Sequence, residues 1–318
     1  MAKPANAEIL IGSIPVSQLP QRIGLAEELE RLQNFLAEWL QKQSPEVQKP
    51  LRWQLLSRSK YFRPLTIFAC HYATSEKPIS ETLLRSTAAL EIFHNVSLIV
   101  DDILDGSRSR RGRPTLHCRF GFLPALMVSG YLTAGGFSLV QKDAYSVGLL
   151  AELMQRLGVA ECTQWRLRRH PLGVEDWRMI ASEDTGSMFE ICARLGTRDD
   201  RLRKFGLLLG LVYHGCDDVG DVRGAVALGG GGEKDVLDGI LTLPAALAVR
   251  DPKVGALFRQ AGPKNYARLM RATAKVLPEA EDYLDGLAAE ARREAMANAT
   301  DPTKLLALVD HTRALSKS

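Results

Sequence analysis

The sequence predicts an all-α fold, a bundle of about ten or more helices around a central cavity. Three observations carry that expectation. Apolar residues recur at spacings of three and four rather than two. One long segment, from Ser80 to Asp105, is apolar around most of its circumference, as suits a helix inside a bundle. Polar stripes interrupt two such helices at matching intervals, and a polar stripe on a buried helix needs a wet or metal-filled space beside it.

The elements follow in chain order. Leu25, Leu29, Leu32, Phe35, Leu36, Trp39 and Leu40 share one face of an amphipathic helix. Ser80 is the expected N-cap of the long apolar helix. Helical patterns then cover 123–142, 145–168, 175–195, 201–223 and 239–249, with weaker ones over 253–316. Strand alternation is almost absent, and no repeat of fixed period occurs. Residues 1–20, with Pro4, Pro15, Pro20 and the single Lys3, read as a flexible N-terminal segment, and 21–318 as one all-helical domain. The glycine run Gly229–Gly232 is the most flexible point expected, but it lies between two motif segments rather than between domains.

Composition narrows the function. A chain of 318 residues, 46% hydrophobic and 25% charged, can bury a sizeable core. Its formal charge of +4 is small and its basic residues are scattered, which argues against nucleic acid as a partner. Cys70, Cys118, Cys162, Cys192 and Cys216 lie far apart without a CxxC pair, so neither a zinc cluster nor a disulfide framework is expected. A reducing, cytoplasmic setting is the expectation, since no run reaches the ~18 uninterrupted apolar residues of a membrane span.

Glu91, His94, Asp101 and Asp105 are spaced by three, seven and four and therefore share one helix face. Asp101 and Asp105 are one turn apart, a rise of ~6 Å, so their carboxylates can converge on a metal. The pattern repeats in His214, Asp217, Asp218 and Asp221, after the apolar run from Leu207 to Val212. Two facing copies concentrate six carboxylates: Asp101, Asp102, Asp105, Asp217, Asp218 and Asp221. Their repulsion implies hard divalent cations, and Mg²⁺ fits best where phosphates complete the shell. Directly after the first cluster, Arg108, Arg110, Arg111 and Arg113 offer guanidinium groups that grip phosphate in a bidentate fashion.

With these motifs the sequence resembles the trans-isoprenyl (polyprenyl) diphosphate synthases, as a divergent member. The resemblance runs from about Lys60 to Pro244 and is most specific from Glu91 to His117. It implies the isoprenoid synthase type of helical bundle. It further implies that Asp101, Asp105 and Asp217 hold Mg²⁺ ions that bind and ionise an allylic prenyl diphosphate, with the neighbouring aspartates in support. Isopentenyl diphosphate would bind at Lys60, Arg63, His94 and Arg111, and Arg110 would contact the allylic diphosphate.

Departures accompany the match. The family's Lys-Thr is Asp184-Thr185, which keeps Thr185 as a candidate catalytic residue but replaces a cation by an anion. The family's Phe-Gln is Tyr213-His214, which makes His214 a substrate-binding candidate. Phosphate-facing lysines give way to Gly231 or a neighbour and to Ile240, with Lys234 as a nearby substitute. Val96 and Ser97, at the expected tunnel floor below Asp101, are not aromatic and favour products of C20 or longer.

Two alternatives stand beside the synthase: a class I terpene cyclase on the same fold, which retention of Lys60, Arg63, His94 and Arg111 disfavours, and a weakly active or regulatory subunit of a heteromeric synthase, which the missing lysines favour. Resemblance also implies a homodimer.

Overall fold

The structure, a computed structural model, describes residues 18–56, 59–224 and 232–317. Most of the expected N-terminal segment, residues 1–17, and Gly229, Gly230 and Gly231 of the glycine run lie outside the described residues. Residues 18–20 join the folded body instead: Leu19 and Pro20 are buried at the start of α1 (Leu19–Arg22), beside the buried Ile23 and Leu25.

Amphipathic α2 (Ala26–Gln41) buries Leu29, Leu32, Leu36 and Leu40, the stripe its sequence marks out. It is followed by α3 (Pro45–Leu55) and α4 (Phe62–Tyr72). The central α5 (Glu81–Leu104) begins where the Ser80 side chain accepts from the Leu83 N–H at 3.1 Å, and it ends on Asp105 as C-cap. Next comes a small antiparallel hairpin of β1 (Ser109–Arg110) and β2 (Arg113–Pro114), a strand pair that the sequence pattern does not mark. Its cause is the turn: Arg111 and Gly112 both have positive φ, 53° and 74°, which matches the twist of a two-residue hairpin.

The chain continues through α6 (Leu116–Phe120), α7 (Phe122–Val140) and α8 (Ala144–Leu167). The single helix expected over 175–195 is two helices, α9 (Val174–Ala181) and α10 (Ser187–Thr197), joined without a break by a π-helical turn at Ser182–Gly186. α11 (Arg203–Arg223) and α12 (Gly232–Asp238) follow. The helix expected from 239 starts later, as α13 (Leu243–Ala248), because Gly239 takes φ 71° and Thr242 caps the next segment. The weak C-terminal patterns resolve into α14 (Pro252–Phe258), α15 (Tyr266–Lys275), α16 (Leu277–Asn298) and α17 (Thr303–Ala314).

The packing of these helices positions the site. α5 packs on α7, where Phe93 and Phe137 meet edge to face at 4.9 Å between ring centroids. α10 lies between α4 and α11, and α16 backs α11. α11 approaches its neighbours unusually closely through glycine. A Cβ on Gly210 would lie 2.7 Å from the Gly186 Cα and 2.8 Å from the Thr185 carbonyl oxygen, and one on Gly206 would strike the Phe189 carbonyl. That closeness presses the π turn, with Asp184 and Thr185, onto the helix that carries Asp217. Behind it, the buried Glu190 of α10 accepts from Arg203 at 2.8 Å and Arg156 at 3.1 Å, so both cations offset a charge that burial alone would make costly.

Although no apolar run is uninterrupted, α5 and α7 reach the length and mean hydropathy of a membrane span, 1.2 and 1.4 respectively. α5 owes this to its place in the core, with 78% of the span buried. α7 is different: 33% is buried, and Phe122, Leu123, Leu126 and Met127 stand exposed along it.

Gly210→Ala is expected to destabilise the fold by about 1–3 kcal/mol, because an added methyl must push the π turn off α11. Denaturant unfolding of the variant against wild type measures it.

Candidate active site

Two regions of opposite charge lie along one face of α5. The first is cationic. Ser59, Lys60, Tyr61, Phe62, Arg63, Glu91, His94, Arg111 and Tyr213 line a small cavity of about 30 Å³. The backbone aims these groups at some cost: Tyr61, the N-cap of α4, and Arg111 of the hairpin turn are both non-glycine residues with positive φ, 49° and 53°. Arg63 donates from Nη1 to His94 Nε2 at 3.0 Å. The bond leaves the proton of a neutral imidazole on Nδ1, which is buried and has no hydrogen-bond partner among the described residues. Burial, then the Arg63 and Arg111 charges, hold the His94 pKa well below its ordinary value, so the ring is neutral. Lys60 is likewise pushed down, first by burial and then by Arg111. Glu91 is the buried counter-charge, accepting from Ser59 at 2.8 Å, and burial raises its pKa. Rings of Phe62 and Tyr213 stack at 5.5 Å beneath, and Phe189 packs against both. The surplus of cations suits an anion with more than one charge.

The second region is acidic. Asp101 is pushed well above the carboxylate range by burial, then by the charges of Glu161 and Asp184, with Arg110 opposing. Asp217 is raised to about 6 by burial and Asp218, and Asp221 to about 7 by burial and Asp217. The two aspartate motifs therefore belong to one electrostatic unit. Three acidic residues that the motifs do not contain join it. Asp184 is delivered by the π turn; Glu161 of α8 is raised to about 7 and Asp235 of α12 to about 8, burial leading in both. Glu161 had a sequence signal: it continues the apolar i, i+4 row of Leu153 and Leu157 as a charged residue. Asp235 had none beyond following the glycine run.

Asp102 and Asp218, expected among the metal ligands, are committed elsewhere. The Asp102 carboxylate is nearly inaccessible and accepts from Arg110 Nε at 2.8 Å, because the hairpin folds Arg110 back onto α5. Arg110, expected on the allylic diphosphate, thus anchors the hairpin through the same bond. Asp218 Oδ2 accepts from the indole N–H of Trp177 at 2.8 Å and from the Leu243 backbone N–H at 2.8 Å, which ties α11 to α9 and α13. Its second oxygen faces His214 Nε2 at 3.9 Å.

The remaining expected residues fall as follows. Thr185 Oγ1 bonds His214 Nδ1 at 2.9 Å and donates to Asp184 Oδ2 at 3.2 Å. Burial opposes a charge on His214, but Asp218, Asp184 and Asp217 together outweigh it and raise the pKa. Asp105, at the mouth, has Lys234 Nζ at 3.3 Å and Arg168 Nη2 at 3.7 Å. Val96 is buried in the core, and Ser97 donates to the His94 carbonyl at 2.9 Å. Ile240 lines an apolar crevice with Val236, Ala245, Val254 and Phe258 rather than the acidic region, which corrects its expected place against a diphosphate.

Among the described residues no three acidic, histidine or cysteine side chains converge closely enough to hold a metal by themselves. The donor set nonetheless fits a hard divalent cation: carboxylate oxygens whose pKa values burial and mutual repulsion raise for want of positive charge. Such ions commonly take one or two carboxylates and complete their shell with water and phosphate, which needs no cage of protein ligands.

Comparison with known proteins gives the same neighbourhood. The family model described as polyprenyl synthetase matches residues 44–274. Geranylgeranyl pyrophosphate synthase 4 of Arabidopsis thaliana is 29% identical over 231 residues, covering 65% of this chain and 61% of that protein. The match thus spans less than two thirds of that relative. Heptaprenyl diphosphate synthase from Staphylococcus aureus superposes with a TM-score of 0.82 at 19% identity, over 92% of this chain and 98% of that one. A polyprenyl synthase from Caulobacter crescentus CB15, complexed with calcium and isoprenyl diphosphate, gives 0.82 at 22% identity over 94% and 97%. At these identities the structures establish a shared all-α fold.

The raised carboxyl groups set a pH dependence with a definite sign. Folded pKa values of about 6, 7, 7 and 8 for Asp217, Asp221, Glu161 and Asp235 exceed the ordinary carboxylate value of about 4. The folded protein therefore holds more protons than the unfolded chain between about pH 4 and 8, and stability falls as pH rises through that window. Thermal unfolding in chelator is expected to show a melting temperature that drops from pH 5 to 8. Millimolar Mg²⁺ is expected to abolish most of the drop, since the ion replaces the protons.

Proposed function

The chain belongs to the polyprenyl synthetase family, and from that membership we propose that it is a Mg²⁺-dependent prenyltransferase condensing isopentenyl diphosphate with an allylic prenyl diphosphate. The observation that carries the reading is the arrangement along α5. His94 borders the cationic cavity, and Asp101, two turns on, belongs to the acidic region. Seven residues of helix separate them by about 10 Å, room for two diphosphates side by side with their reacting carbons between.

In this reading Lys60, Arg63 and Arg111 bind the isopentenyl diphosphate, and the neutral His94 donates from Nδ1, its proton otherwise unused. Asp101, Asp105, Asp217 and Asp221 hold the metal ions, while Asp102 and Asp218 keep the hairpin and α11 in place. Bound Mg²⁺ supplies Lewis-acid neutralisation of the charge that grows on the departing diphosphate. Thr185 and His214 stand beside that group, and the packed rings of Phe62, Phe189 and Tyr213 keep water from the allylic cation. Small side chains at Val96 and Ser97 support a product of C20 or longer. The exposed apolar residues of α7, Phe122, Leu123, Leu126 and Met127, support pairing of two copies, and we infer a homodimer. Five unpaired thiols support a reducing, cytoplasmic setting.

A second reading, a weakly active subunit of a heteromeric synthase, draws on Asp184, an anion at the position where the family carries lysine. Incubation with Mg²⁺, isopentenyl diphosphate and C5 to C20 allylic diphosphates separates the possibilities. An elongated diphosphate is expected; a hydrocarbon would select a cyclase, and absence of both a subunit. Asp101→Ala is expected to lower turnover by about 10²–10³-fold while leaving the circular dichroism spectrum unchanged.

A further inference from the structure

Beyond the motifs, one cation faces the acidic mouth from an element with no assigned role. α8 ends at Leu167, and the segment that follows places Arg168 with its guanidinium over the Trp165 ring, 3.9 Å from Cζ to the ring centroid. Arg168 Nη2 stands 3.7 Å from Asp105 Oδ1, beyond hydrogen-bond length. Its Nε is buried and has no hydrogen-bond partner among the described residues. Lys234 of α12 approaches the same Asp105 oxygen at 3.3 Å.

The backbone around Arg168 is fixed rather than loose. Arg169 adopts φ 63° and donates its N–H to the Gly239 carbonyl at 2.8 Å. Gly239 has φ 71°, and a Cβ there would lie 2.6 Å from the Arg169 Cγ. The loop after α8 is thus keyed into the turn between α12 and α13, the turn that sends Ile240 into its apolar crevice. A strained residue, a glycine fitted to it and a largely exposed tryptophan all serve to hold one guanidinium at the mouth. An arginine has five donors in a planar fork, yet among the described residues only a long ion pair occupies it. That pairing is also the one that a metal at Asp105 would take away.

We propose that Arg168, stacked on Trp165, is a substrate-binding residue that grips the diphosphate of the allylic substrate at the mouth of the acidic region. It rests on the reading of that region as a metal–diphosphate centre. When the Asp105 carboxylate turns to a metal ion, Arg168 loses its ion pair and faces the diphosphate that the metal brings, beside Lys234, which keeps Asp238 at 2.7 Å. Cationic grip then comes from the end of α8 and from α12, at a site whose π turn supplies Asp184 instead of a cation.

The test measures binding, not turnover. Dissociation constants for the non-ionisable thiolo analogue of farnesyl diphosphate, with Mg²⁺, and separately for isopentenyl diphosphate, are compared by calorimetry for wild type, Arg168→Met and Arg168→Lys. Methionine keeps an apolar stem against Trp165; Arg168→Gln is the second variant should it fail to fold. Removing one charge-assisted contact is expected to weaken the analogue about 10–100-fold and to leave isopentenyl diphosphate within about 2-fold, with lysine recovering part of the loss. Unchanged analogue binding in the neutral variants overturns the assignment. Equal weakening of both ligands also overturns it, since a general loss of positive charge then explains the effect. Wild type that binds neither ligand removes the proposed function itself, an outcome distinct from both.

Discussion

The constraint on which the rest of the structure depends is the burial of like charges. Asp101, Asp184, Glu161, Asp217, Asp221 and Asp235 crowd one side of an apolar bundle: Glu161 and Asp184 raise the Asp101 pKa, Asp184 that of Glu161, and Asp217 those of Asp221 and Asp235. A fold can carry such a group only if protons or cations neutralise it. Other features of the site distribute that burden. Asp102 and Asp218 are held by hydrogen bonds, to Arg110 and to Trp177 and Leu243, although Asp218 still adds its charge to the crowd. Asp105 is shared between Lys234 and Arg168. What is left uncompensated is the part that a divalent ion suits.

Charge separation along α5 follows from the same constraint. The cationic cavity at Lys60, Arg63 and Arg111 has Glu91 as its buried anion, and desolvation there strips His94 of its proton instead of adding one. Cations and carboxylates of the two regions are kept from collapsing into direct ion pairs by a rigid spacer, two turns of helix whose other faces are locked in the core. Without that separation the Arg63 and Asp101 side chains would satisfy one another and neither would be available to a ligand.

Local irregularity does the aiming. The π turn at Ser182–Gly186, the left-handed Tyr61, Arg111 and Arg169, and the close contact at Gly210 all lie within or beside the two charged regions. Such conformations persist where surrounding packing over-determines them. Here the packing is that of α10 and α11, which meet through glycine and leave the π turn no alternative position.

The all-α class, the long apolar helix capped by Ser80 and the two aspartate rows were legible from the sequence, because helical period and one-turn spacing are local properties. The set Lys60, Arg63, His94 and Arg111, which lines one cavity, came from the family resemblance rather than from spacing. Spacing could not distinguish aspartates that face the acidic region from those that hydrogen bonds commit to the protein: Asp102 and Asp218 look the same as Asp101 and Asp217 in sequence, and only Trp177, 41 residues from Asp218, and the folded-back Arg110 tell them apart. Nor could it place Ile240, Glu161 or Arg168, whose neighbours come from distant segments. By itself the sequence determined which helices form and which faces they bury; the tertiary structure alone decided which charges meet, because pairing across a bundle depends on packing contacts that no local period encodes.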